Sequence, residues 1–147
     1  ATGSDKRFSF SIPAKESSQV LYLFESAIDL LSFATMAQED RLPWRSQHLL
    51  SLAGVYQPKK NLAERRLPLA LSQYLRDHRE IQTIYLCLDN DLAGRSAADA
   101  IRQQLAGKYV VRDGFPCQGK DYNDWLCLRK GLPITRTVPK TERSIAR

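Results

Sequence analysis

Ile84-Tyr85-Leu86-Cys87-Leu88-Asp89-Asn90-Asp91 is the stretch that decides the fold. Five apolar residues run without a polar break. That suits a strand buried on both faces of a parallel sheet rather than a half-exposed one. The run stops at once on two carboxylates one residue apart. Residues i and i+2 of an extended segment point the same way, so Asp89 and Asp91 can face one ion.

The same arrangement occurs upstream. Gln19-Val20-Leu21-Tyr22-Leu23-Phe24 follows Ser17-Ser18 and ends at Glu25, with Asp29 one helical turn further on. Ala27 to Gln38 then shows a helical period through Ile28, Leu31, Ala34 and Thr35. Around these two runs the rest of the chain falls into place. His48 to Leu52 predicts a short strand closed by Ala53-Gly54. Residues 55–66 form a polar, basic connection with Lys59-Lys60 and Arg65-Arg66, and Pro68 opens a helix to about Asp77 with Leu69, Leu71 and Leu75 on its apolar side. Ala93 to Leu105 is a strong amphipathic pattern closed by Gly107, Lys108 to Arg112 a fourth strand, and Tyr122 to Leu128 a short last helix stopped by Gly131 and Pro133.

The order is β-α-β-α-β-α-β-α, which predicts an α/β, Rossmann-like fold. It should have a central, mostly parallel four-stranded sheet with helices on both faces. In such sheets function gathers at the carboxyl ends of the strands. If the strands ending at Glu25 and Asp89 are neighbours, Glu25, Asp89 and Asp91 converge. Crowded carboxylates repel and need a compensating charge. Oxygen ligands with no His or Cys beside them favour Mg²⁺ or Mn²⁺ over zinc. Acids also follow strands simply to cap helices, and Asp91 can cap the helix that follows. Capping accounts for single acids better than for the pairs Glu25 with Asp29 and Asp89 with Asp91. A third acidic element, Gly119-Lys120-Asp121-Tyr122-Asn123-Asp124, follows the fourth strand. There Asp121 can cap the last helix or help to hold a second ion, and Lys120 can contact a phosphate.

These three motifs, in this order, resemble the Toprim domain over about residues 18–128. That domain is shared by bacterial-type primases, type IA and type II topoisomerases, small nucleases and recombination-repair proteins. The resemblance runs most toward primase-like members carried by plasmids and conjugative elements. It implies that Glu25 is the general acid/base and a metal ligand, that Asp89 and Asp91 bind Mg²⁺, and that Asp29 and Asp121 support or bind a second ion. The chain departs from the family pattern at Ser26, where many members have Gly, and at Asn123, where primases often have a second acid. Mg²⁺ in such a domain neutralises phosphate in an in-line displacement. Lys59, Lys60, Arg65, Arg66, Arg95 and Lys120 are candidates to hold a DNA or RNA backbone, contacts that carry no sequence information. The implied function is phosphoryl or nucleotidyl transfer on nucleic acid, primase-like. The alternatives are Toprim-type strand cleavage and a non-catalytic binding module. A phosphatase of the haloacid-dehalogenase type also uses Asp-x-Asp after a strand, but it wants Thr or Val where Ala93 stands.

Composition sets the outer limits. The chain has 147 residues, 43% hydrophobic and 26% charged, enough for one domain with a real core. Its formal charge of +6 is unevenly placed. From Leu128 onward there are six basic residues and one acid, whereas residues 17–127 hold 13 of each. The division is an N-terminal arm over 1–16 with an edge-strand signal in Phe8-Ser9-Phe10-Ser11-Ile12, a Toprim domain over 17–128, and a basic tail over 129–147. A basic tail on a neutral core is compatible with nucleic-acid binding. Three cysteines without CxxC spacing argue against a disulfide framework and a cysteine zinc site, and fit a reducing cytoplasm. No run reaches the length needed to cross a bilayer. The start at Ala1-Thr2-Gly3-Ser4 reads as a piece of a longer protein with flanking domains.

Overall fold

A computed structural model describes residues 9–52 and 67–134. Lys59, Lys60, Arg65 and Arg66, the first half of the N-terminal arm and most of the basic tail lie outside the described residues.

The elements in chain order are β1 (Ser11–Ile12), β2 (Val20–Phe24), α1 (Ala27–Glu39), a 3-10 turn (Trp44–Ser46), β3 (His48–Ser51), α2 (Leu69–Asp77), β4 (Thr83–Cys87), α3 (Leu92–Leu105), β5 (Val110–Asp113) and α4 (Tyr122–Arg129). The sheet order is β1-β3-β2-β4-β5. β3, β2, β4 and β5 run parallel, as the alternation predicts. The sheet has five strands rather than four. Ser11 and Ile12 pair antiparallel with Leu50 and Leu49, and Pro13, which has no amide hydrogen to give, ends the pairing.

β2 lies at the centre, and its alternating side chains feed two cores. Leu21 and Leu23 join Ile84, Leu86, Leu71, Leu75, Ile101 and Leu105 under α2 and α3. Tyr22 and Phe24 join Leu30, Ala34, Phe33 and Tyr122 under α1 and α4. Both faces of the sheet are therefore covered, which is why β2 and β4 read as unbroken apolar runs.

Two expectations shift. Of the stripe Ile28, Leu31, Ala34 and Thr35, α1 buries only Ala34. Ile28 is 58% and Leu31 47% exposed, while Leu30, Ala34, Met36 and Ala37 are buried. Asp29 decides this rotation: it is buried, and its Oδ1 accepts from the Asn123 amide on α4. The last strand begins at Val110, not Lys108. The Lys108 and Tyr109 amides turn back to the Leu105 carbonyl at 3.0 and 3.1 Å, around Gly107 with φ 82°. That left-handed turn closes α3 before extended pairing starts. Among the described residues no helix is long and apolar enough to cross a membrane.

Candidate active site

The register of β2 on β4 builds the site. Phe24 pairs with Cys87, so the segments that follow, Glu25-Ser26 and Leu88-Asp89, leave the sheet side by side. Leu88 is still core, and Asp89 is only 8% exposed. The Glu25 and Asp89 carboxyls lie against each other, close enough to share one proton.

Three helices begin at this edge, and all three are capped alike. The Ser26 hydroxyl accepts from the Asp29 amide at 3.3 Å. Asp91 Oδ1 accepts from Gly94 N and Asp121 Oδ1 from Asp124 N, each at 2.7 Å. Each cap satisfies an amide of the first turn, and Asp91 and Asp121 thereby place a carboxylate where the helix dipole favours negative charge. Capping and site-building are therefore the same act for Asp91 and Asp121. Ser26 also donates to Asp29 Oδ2 at 2.8 Å, so the second side chain of the motif is held from both ends.

The loops are locked together. The Asn90 amide donates to the Lys120 carbonyl at 2.6 Å, joining the second motif to the third. Gly94 lies so close to the Asp89 strand end that a Cβ there would stand 1.9 Å from the Asp89 carbonyl oxygen. Gly119, with φ 74°, turns the chain so that Lys120 N reaches Asp124 Oδ2 at 3.0 Å.

The result is one oxygen each of Asp29, Asp89 and Asp121 within 4.8 Å of the other two. Glu25 sits against Asp89. Asp91 is turned aside: its Oδ2 lies 3.4 Å from Lys120 Nζ, which is 3.9 Å from Asp89 Oδ2. Sequence spacing groups Glu25 with Asp89 and Asp91, whereas the tertiary structure draws Asp29 and Asp121 in around Asp89. Arg95 stands at the rim, where its Nε and Nη2 donate to Asn90 Oδ1 at 3.0 and 2.6 Å.

Crowding has an electrostatic consequence. Burial, with Glu25 beside it, pushes the Asp89 carboxyl up to about 8. Burial also raises Glu25, aided by the charges of Asp91 and Asp29, and raises Asp29. The raised values mean that this edge favours a positive charge, a proton or a cation, among its carboxylates. The donor set is oxygen only, which fits Mg²⁺ or Mn²⁺.

A family model described as Toprim-like matches residues 22–126. The chain belongs to the Toprim-like family. The matched span runs from β2 into α4 and contains all three acidic motifs. No curated protein matches. Among solved structures, the chain is similar to the primase fragment of the bacteriophage T7 primase-helicase protein, with 23% identity and a TM-score of 0.49. The alignment covers 78% of this chain and 40% of that fragment.

Several residues that shape this Toprim site carry no role in the sequence reading. Ser26 was readable, because Ser-x-x-Asp at a strand end is a helix-start pattern. The buried Asp124 was not, because nothing local says that it accepts from Lys120 N. The amide of Asn123 holds Asp29 whatever its side chain is, so replacing the family's acid there leaves that contact intact.

Proposed function

We propose that this chain is the Mg²⁺-dependent core of a nucleotidyl-transfer enzyme acting on DNA or RNA, a primase-like module of a mobile-element protein that works with flanking domains in the cytoplasm. One observation carries the reading: Asp29, Asp89 and Asp121 bring one oxygen each within 4.8 Å of the other two, with the Glu25 carboxyl beside Asp89. Family membership supports the substrate class, and the resemblance of the motifs to those of primase-like members is what favours primer synthesis over strand cleavage.

Asp89 and Asp121 would hold Mg²⁺, with Asp29 and Asp91 completing or steadying the set. Bound there, the ion would neutralise phosphate charge during in-line displacement. Glu25 would move the proton at the reacting oxygen, a role helped by its raised pKa. Lys120 stands beside both Asp89 and Asp91 and would take one phosphate oxygen. Arg95, Lys59 and Lys60 would hold the backbone further out, giving weak binding with a steep salt dependence and little sequence preference.

The test gives the full-length protein a single-stranded template, nucleotides and Mg²⁺, and in parallel a cleavable nucleic-acid substrate, with Glu25→Gln and Asp89→Asn as controls. Template-dependent synthesis lost in both variants is the expected result. Cleavage lost in both instead assigns the site to strand scission. Absence of both reactions, or variants equal to the unaltered protein, leaves a binding module.

A further inference from the structure

A second group of ligating side chains sits at the opposite end of the sheet. His48 opens β3, His78 follows the last residue of α2, and Glu80 lies on the way into β4. Glu80 Oε2 is 3.1 Å from His48 Nε2 and 3.7 Å from His78 Nδ1. All three ligating atoms lie within 4.8 Å of one another. Nitrogen and oxygen ligands about 2.0 to 2.1 Å from a tetrahedral ion stand about 3.4 Å apart. The spacing is therefore that of three corners of a tetrahedron after small side-chain adjustments. His48 is 2% exposed, while the side chains of His78 and Glu80 are 26% and 34% exposed, so the fourth corner opens to water.

The surroundings are those that a ligating histidine needs. Tyr74 Oη stands 2.9 Å from His48 Nδ1, the outer partner that fixes ring orientation. The ring of Tyr74 also stacks on His78 at 4.1 Å, which steadies the second imidazole. The Ala14 amide donates to the same Nδ1 at 3.3 Å, which leaves the His48 proton on Nε2, between the ring and Glu80. Burial, with His78 alongside, lowers the pKa of His48 and keeps the ring neutral at pH 7.

We propose that His48, His78 and Glu80 form a Zn²⁺ site with a solvent-facing fourth position, tying the end of α2 to the amino-terminal end of the sheet. Two imidazole nitrogens and one carboxylate suit zinc and do not suit Mg²⁺, which takes oxygen ligands. The ion replaces the proton that lies between His48 Nε2 and Glu80 Oε2. That proton moves to Nδ1, where Tyr74 Oη accepts it, and the longer Ala14 contact is given up. The site is independent of the acidic edge, because its residues belong to the amino ends of the strands.

The test is calorimetric titration of the chain with ZnCl₂ in excess MgCl₂, together with melting curves and the visible spectrum of the Co²⁺ form. One equivalent should bind and raise Tm by several degrees. His78→Gln and Glu80→Gln should each weaken binding at least tenfold, and Asp89→Asn should leave it unchanged. No binding by the unaltered chain, full binding by His78→Gln, or loss of binding in Asp89→Asn each overturns the proposal. So does a cobalt spectrum with a thiolate charge-transfer band, which would place the ion on cysteine. The spectrum of the unaltered chain decides the matter even if a variant fails to fold.

Discussion

The two ends of the sheet treat acids in opposite ways. At the carboxyl end, Glu25, Asp29 and Asp89 are all pushed above their ordinary carboxylate range, chiefly by burial. At the amino end, Glu80 is held below its range by its own backbone amide and by His48. The winding of the fold explains the sorting. Parallel strands joined by helices put the N-termini of α1, α3 and α4 at one end, where dipoles and capping amides welcome carboxylates. The C-terminus of α2 comes to the other end, where His78 is the cap. At the first end, crowding and burial favour the protonated acids, and a divalent cation can take the place of those protons. At the second, histidine and tyrosine meet the one acid.

The largest effect should come from the backbone contact that shapes the acidic end. Gly94→Ala puts a Cβ against the Asp89 carbonyl and should destabilise the fold by about 3 kcal/mol, read from urea unfolding. A loss below about 0.5 kcal/mol would mean that α3 can move away freely and that the acids are not rigidly placed.

Next in size is Tyr74→Phe at the amino end. It leaves buried His48 without its Oη partner and should lower stability by about 1 kcal/mol. An unchanged midpoint would show that Ala14 alone satisfies the ring.

A matched pair of charge removals is the sharpest contrast. In EDTA at pH 9, above the raised Asp89 value of about 8, Asp89→Asn should raise Tm by about 2 °C, since the amide can donate to Glu25 where the ionised carboxylate only repels it. Glu80→Gln should instead lower Tm, because it removes an acid that already has its donors. The same sign for both, by differential scanning calorimetry, would abolish the distinction between the two ends.

The smallest effect is on ion affinity. Lys120 Nζ competes for Asp89 and Asp91, so Lys120→Gln should tighten Mg²⁺ binding roughly threefold while weakening phosphate binding. Calorimetry showing weaker Mg²⁺ binding instead would make Lys120 a positioning residue for the loop.

The parallel strands, the helices between them and the acids at the strand ends are all legible in the amino-acid order. These are carried by local signals: unbroken apolar runs, and Ser26, Asp91 and Asp121 standing where a helix needs a cap. Only the tertiary structure decided which acids meet. Asp29 reaches Asp89 and Asp121 because β2 lies beside β4 and because α4 holds α1 in one rotation, against the stripe that Ile28 and Leu31 suggest. It also decided that the edge strand signalled by Phe8 to Ile12 pairs with β3, through Ser11 and Ile12, and that His48 meets Glu80 across 32 residues of chain. Periodicity and capping act within one or two turns of chain. Strand order and helix rotation are set by burial of the whole core, which no short stretch contains.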